Sequence, residues 1–147
     1  MGNAPVHVMV HAPVTLVWEL WANPVLWDTW HPEVCQMRVL GPNNSEMGFV
    51  RDDSERWIPF RLRPIKPNSS FIVESRPLPD LMLVFTCTVI GVAGGCIAAQ
   101  SVRLEGQFAD AFDEPLTEFA AARASEALVY LRDLAEFLNE VISTESP

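Results

Sequence analysis

The chain has 147 residues, enough for one domain, and a chain of that size buries about 68–70% of its unfolded surface. Hydrophobic residues make up 49% of it, with five Trp and eight Phe, which excludes disorder except at the ends. The net charge of −9 argues against nucleic acid and anionic membrane surfaces as partners, because both are recognised by basic patches.

No apolar run reaches membrane-spanning length. The opening MGNAPVHV lacks the charged region and apolar segment of a signal peptide. Val6 stands where a myristoylation signal wants Ser or Thr. The three cysteines are odd in number and scattered, as in a reducing compartment. A cytoplasmic protein is expected.

Val6, Val8 and Val10 alternate with His7, Met9 and His11, the pattern of a half-buried strand. In a strand His7 and His11 are roughly 13 Å apart, too far to chelate one metal. Pro13 then opens a helix carrying Val14, Val17, Trp18 and Trp21 at helical spacing. Asn23-Pro24 ends it and starts a second short helix with Leu26, Trp27 and Trp30. That helix stops at His31, which Pro32 steers out of the helical region and which reads as a surface turn residue.

Strands follow. Val34–Leu40 ends at Gly41-Pro42-Asn43-Asn44, and Met47–Asp52 and Arg56–Ile65 form a hairpin around Asp53-Ser54. Ile58, Phe60 and Leu62 share one face of the second strand, while Trp57, Pro59, Arg61 and Arg63 share the other. Phe71, Val73 and Ser75 alternate with Ile72, Glu74 and Arg76. The clearest hairpin is Leu81–Phe108, with Gly94-Gly95 as its two-residue turn. Pairing outward sets Val89 against Gln100, Cys87 against Val102 and Phe85 against Leu104. Leu81, Leu83, Phe85, Cys87, Val89, Val102, Leu104 and Phe108 then line the inner face. Gln100 joins them beside small residues, either at a partly hollow interior or bonded to local backbone. Cys87 and Cys96 share a face about 20 Å apart along the hairpin, too far for a bridge.

The last helix, Leu116 to Ile142, is amphipathic and about seven turns long. Its apolar stripe takes in Phe119, Ala120, Ala127, Tyr130, Leu131, Leu134, Phe137, Leu138 and Val141. Arg123 falls about 20° from the centre of that stripe, so the cation either snorkels at the edge of the contact or faces a cavity. Asp110, Asp113 and Glu114 suit the positive end of the helix. The tail after Ile142 is expected to fray.

A mostly antiparallel sheet with one apolar face and a long helix with one apolar stripe pack most simply as two layers, the sheet wrapped around the helix. A strongly curved sheet cannot touch a straight helix along its whole length, and the void left between them is a natural pocket. The class is α+β, with about seven strands and two short helices after the first. The whole chain, 1–147, is one ligand-binding domain with an ordered core of about 5–142.

Ala12-Pro13, Val17-Trp18-Glu19-Leu20, Asn23-Pro24, Trp27, Trp30, His31-Pro32 and Val34, supported by Gly48 and the final helix, resemble the START-like or SRPBCC superfamily. Its polyketide cyclase/dehydratase and lipid-transport branch is the nearest. The resemblance covers the whole chain in element order. It implies a helix-grip fold with a hydrophobic cavity between sheet and last helix, and small apolar ligands such as lipids, sterols, polyketides or quinones. It supplies no universal catalytic motif.

From the inner faces, the candidate ligand-binding residues are Phe60, Leu62, Phe71, Val73, Phe85, Cys87, Val89, Gln100 and Val102 on the sheet and Phe119, Arg123, Ala127 and Tyr130 on the helix. The first reading is a binding or carrier protein for a small hydrophobic molecule, with the Arg123 guanidinium holding a carboxylate or enolate. The second is a cofactor-free cyclase, dehydratase or isomerase drawing on Arg123, Gln100, Tyr130, His31 or Glu74. No metal site and no organic cofactor is indicated. A third reading, an interaction module, rests on Trp57 alone, for which self-association through that edge is the commoner meaning.

Overall fold

The computed structural model describes residues 5–40, 44–52 and 54–145. In chain order these form β1 (Val6–Val10), α1 (Val14–Trp21), a 3-10 turn (Pro24–Leu26), α2 (Trp27–Trp30), β2 (Gln36–Leu40), β3 (Asn44–Arg51), β4 (Trp57–Lys66), β5 (Ser70–Leu78), β6 (Leu81–Val92), β7 (Gly95–Glu105) and α3 (Ala109–Glu145). Seven antiparallel strands lie in the order β1-β7-β6-β5-β4-β3-β2. Consecutive hairpins build the sheet from β2 to β7, and β1 closes beside β7. α3 packs across β1 and β7 and against α1. This is the helix-grip arrangement. The turn expected at Gly41-Pro42-Asn43 and Asp53 of the β3–β4 hairpin lie outside the described residues.

The two short helices hold each other through their tryptophans. A helix leaves its last carbonyls without partners, and here indoles supply them. Trp27 Nε1–H donates to the Trp21 carbonyl at 2.8 Å, and Trp30 Nε1–H donates to the Leu20 carbonyl at 3.0 Å. Pro13 sits one position earlier than expected, as the residue before α1, and its carbonyl accepts from the Leu16 and Val17 amides. Asn23 precedes the 3-10 turn with Pro24 at its first position, but its side chain makes no capping bond.

The β6–β7 pairing differs from expectation by two residues. Cys87 opposes Gln100, Phe85 opposes Val102 and Leu83 opposes Leu104, with Val92 against Gly95. The turn residues are therefore Ala93 and Gly94, the latter at φ +83°. Gly95 is needed elsewhere, since a Cβ on it would lie 2.0 Å from the Val10 carbonyl oxygen of β1. A slip of two keeps every side chain on its face. Leu81, Cys87, Val89, Val102 and Leu104 are accordingly buried, but Phe108 lies past the end of β7 and is exposed. The shift also brings Cys96 opposite Gly91, roughly 13 Å from Cys87 along the strand. Gly94 has open space around it. Gly94→Ala should thus cost only the strain of a left-handed alanine, about 1–2 kcal/mol, read from the denaturation midpoint.

α3 begins at Ala109, seven residues earlier than expected, breaks helical geometry at Phe112, carries Pro115 inside and runs on to Glu145. Its buried face is Thr117, Ala120, Ala124, Ala127, Leu128, Leu131 and Ala135. That face is rotated by roughly 75° from the expected stripe, at 100° per residue. Phe119, Tyr130 and Phe137, expected inside, are 58%, 50% and 62% exposed. Four alanines let the helix lie close on β1 and β7, where aromatic rings would hold it away. At its far end α3 reaches the β1–α1 junction, where Glu136 accepts from the His11 amide at 2.8 Å and Asn139 donates to the His11 carbonyl.

On the outer face of the sheet, Glu74 pairs with Arg63 at 3.2 Å. Trp57 is half covered by the Arg38 guanidinium, 4.8 Å from its ring centre.

Candidate functional site

A cavity of about 310 Å³ opens between the sheet, α1–α2 and the first half of α3. Its apolar wall comes from four places. Trp21 and Trp27 reach it from the helical unit, Val50, Ile58 and Phe60 from β3–β4, Val73, Leu83, Phe85 and Cys87 from β5–β6, and Phe119, Ala120 and Ala124 from α3. Trp27 packs on Phe60 with ring centres 5.2 Å apart. Small side chains on α3 opposite large ones on the sheet leave the space open.

Seven of the thirteen residues expected at the site line this cavity: Phe60, Val73, Phe85, Cys87, Gln100, Phe119 and Arg123. Leu62, Phe71, Val89 and Ala127 are buried in the solid core instead, where α1 and the middle of α3 close on the sheet. Val102 is buried but away from the opening, and Tyr130 points to solvent. Tyr130 is thus not placed to donate a proton into the cavity.

Sequence reasoning placed Arg123 at the site and named His31 only for the second reading; it missed the rest of the polar rim, Glu33, Asp52, Arg56 and Ser75. His31 is half-buried against Trp30 rather than a surface turn residue. Its Nδ1 accepts from the Glu33 amide at 3.2 Å. Burial lowers its pKa to about 4, so at neutral pH the imidazole is uncharged, with its proton on Nε2 as a donor. Arg123 pairs with Glu33 at 3.6 Å and lies 4.9 Å from the Phe119 ring centre, with 46% of its side chain exposed. It sits at the cavity edge, which is both the snorkelling position and a position from which it faces the opening. Asp52 accepts from the Ser54 hydroxyl and from the Ser54 and Arg56 amides. The Ser54 hydroxyl first, then the two amides and the Arg56 charge, hold its carboxyl below the usual range.

Deeper in, Gln100 opposes Cys87 across the hairpin and lines the wall. Among the described residues its side-chain amide has no hydrogen-bond partner. Burial pushes the Cys87 thiol well above its ordinary pKa, which removes it as a neutral-pH nucleophile. Among the described residues no group of three or more His, Cys, Asp or Glu could hold a metal ion. The site therefore presents an aromatic and aliphatic wall, one neutral imidazole donor and one amide, with the Arg56 and Arg123 guanidinium groups and the Glu33 and Asp52 carboxylates at its rim.

The family model described as polyketide cyclase / dehydrase and lipid transport matches residues 1–136. The chain belongs to this family. Solved structures similar to this family member include XoxI from Bacillus cereus, at 14% identity over 92% of this chain and 96% of that one, with a TM-score of 0.76. The di-domain ARO/CYC BexL from the BE-7585A biosynthetic pathway is 16% identical over 94% of this chain and 50% of that one, with a TM-score of 0.66. A norcoclaurine synthase point mutant from Thalictrum flavum, in complex with a transition-state analogue, is 12% identical over 90% and 92%, with a TM-score of 0.67. At these identities the likeness is one of fold. A comparison with curated proteins gave no match.

Proposed function

We propose that this family member binds a compact, largely apolar small molecule bearing one oxygen-rich or anionic group. The observation that carries the reading is the pairing of an aromatic wall, Trp21, Trp27, Phe60 and Phe85, with donors from His31, Gln100 and Arg123 around one cavity. About 310 Å³ suits a two- or three-ring compound better than a long acyl chain or a sterol. The family's description, polyketide cyclase / dehydrase and lipid transport, points the same way.

Native mass spectrometry of the protein as purified, followed by extraction, tests occupancy directly. A retained aromatic or acidic compound supports the reading. Arg123 is tested with two fluorescent probes of matched shape, anionic 1-anilinonaphthalene-8-sulfonate and neutral N-phenyl-1-naphthylamine. Arg123→Ala should weaken the anionic probe about tenfold and change the neutral one less than twofold. Equal losses for both, or none for either, would remove the anchor role.

A second reading, a cofactor-free cyclase or dehydratase in the same cavity, gains from His31. A neutral imidazole and the Gln100 amide are suited to hydrogen-bond an enolate as it forms. BexL and norcoclaurine synthase carry enzyme names on this fold. Turnover that disappears in His31→Ala while probe binding persists would favour chemistry over carriage.

A further inference from the structure

We infer, taking Arg123 as the anchor proposed above, that Glu33 stands in for the ligand's anionic group: it occupies Arg123 across the cavity mouth until an anionic ligand takes its place. Glu33 lies between α2 and β2, and Arg123 lies on α3. Both line the cavity, and their side chains meet at 3.6 Å. The pair therefore joins two sides of the opening. The other rim pair, Arg56 with Asp52, stays within the β3–β4 hairpin. There Asp52 is committed to the Ser54 hydroxyl and to two backbone amides. Among the described rim residues, Glu33 with Arg123 is the ion pair that ties one element to another.

Its geometry makes the contact displaceable. The 3.6 Å separation exceeds the roughly 2.7–2.9 Å of a charge-assisted hydrogen bond. With the two side chains 46% and 37% exposed, water screens the attraction, and ion pairs in that setting are weak. A planar carboxylate, or a sulfonate, can engage two guanidinium donors at once at the shorter distance. Arg123 keeps its position when Glu33 leaves, because its guanidinium also lies 4.9 Å from the Phe119 ring centre. On the other side, the Glu33 amide is held by His31 Nδ1 at 3.2 Å. The carboxylate can thus swing away about its own side-chain bonds while both backbones stay in place.

This arrangement sorts ligands. An uncharged ligand offers Arg123 no counter-charge, so the ion pair stays closed over it. An anionic ligand gains Arg123 at the expense of the pair. Its apparent affinity is reduced by the fraction of time for which Glu33 holds the guanidinium. Glu33 therefore determines how strong an anion must be to enter, favouring one that takes two donors over a single carbonyl oxygen.

Fluorescence titration of the full chain with 1-anilinonaphthalene-8-sulfonate and N-phenyl-1-naphthylamine tests this role. Glu33→Asp keeps the charge but withdraws the carboxylate by one methylene from a contact that is already long. It should raise affinity for the anionic probe about threefold relative to the neutral one. Glu33→Gln should raise that ratio at least as much, since it also removes repulsion between carboxylate and sulfonate. In an Arg123→Ala background Glu33→Asp should leave the ratio unchanged. A rise with Glu33→Gln alone would reduce Glu33 to a repelling charge and overturn the stand-in role. No rise with either variant, or a Glu33→Asp rise that survives without Arg123, overturns it too. In those cases the anchor is judged separately, by whether Arg123→Ala alone weakens the anionic probe. Wild-type protein that binds neither probe overturns both the anchor and the stand-in.

Discussion

Replacing Phe71 with alanine is expected to lower the free energy of unfolding by about 4 kcal/mol, the largest single effect in the molecule. Phe71 sits on β5 with none of its surface exposed. Trp18 and Trp21 of α1 meet its ring edge-on, with centroids 5.4 Å and 5.2 Å away. Such edge-to-face pairs each add about 0.5–1.5 kcal/mol beyond the area buried. The ring is the point at which the helical unit grips the sheet. Alanine there leaves a void that two indoles cannot fill, because Trp27 and Trp30 already fix the C-terminal end of α1 through its Trp21 and Leu20 carbonyls. Urea denaturation should show a lower midpoint with an unchanged slope. A loss below about 1 kcal/mol would mean that α1 is anchored elsewhere.

The second large effect is on acid stability. His31 has a pKa of about 4 in the folded protein because burial disfavours its charged form, against about 6.5 in the unfolded chain. Between those values the unfolded chain takes up a proton that the folded one refuses. Stability therefore falls as the pH drops from about 6.5 towards about 4, and above about 6.5 His31 contributes no slope. At 1.36 kcal/mol per pH unit the loss between pH 7 and pH 4.5 is at most about 3 kcal/mol. His31→Gln should lose that much less over the same interval, with the difference between the two curves isolating the imidazole. Asp52 acts in the same direction but lower, its stabilisation disappearing as the pH falls through its depressed carboxyl pKa. Parallel curves for wild type and His31→Gln would show that the imidazole is solvated and not held against Trp30.

The strands were legible because alternation is a direct readout of a sheet with one wet face. Phe60 and Leu62, Phe71 and Val73, and Cys87 and Val89 all point inward as their spacing required. The hairpin tip was legible only to within two residues. Either Gly94 or Gly95 could turn the chain, and what decides between them is a clash with Val10, a residue far off in sequence. The helix was legible as a helix, but its stripe was centred on its largest apolar side chains. The true contact uses alanines, whose value lies in letting backbones approach, a property that hydropathy weighting undervalues. The rim was least legible. His31 beside Pro32 looks like a turn on local grounds, and its burial depends on Trp30, Glu33 and the approach of α3. Trp21 and Trp27 were read only as apolar positions of the two short helices; both are buried in the core, but each also presents a face to the opening.

The β6–β7 hairpin also constrains how this chain can change length. Gly95 is pinned against β1 and Val92 is the last paired residue before the tip, so growth has to occur between them. A loop lengthened there can be absorbed by extending the ladder two residues at a time, since each such step returns every side chain to its own face. An odd insertion taken up in the ladder would instead carry Cys87 and Phe85 to the solvent face and Thr86 and Thr88 into the cavity. The tip of this hairpin should therefore tolerate insertions and deletions by parity, with even changes surviving and odd ones persisting only where a bulge takes up the extra residue.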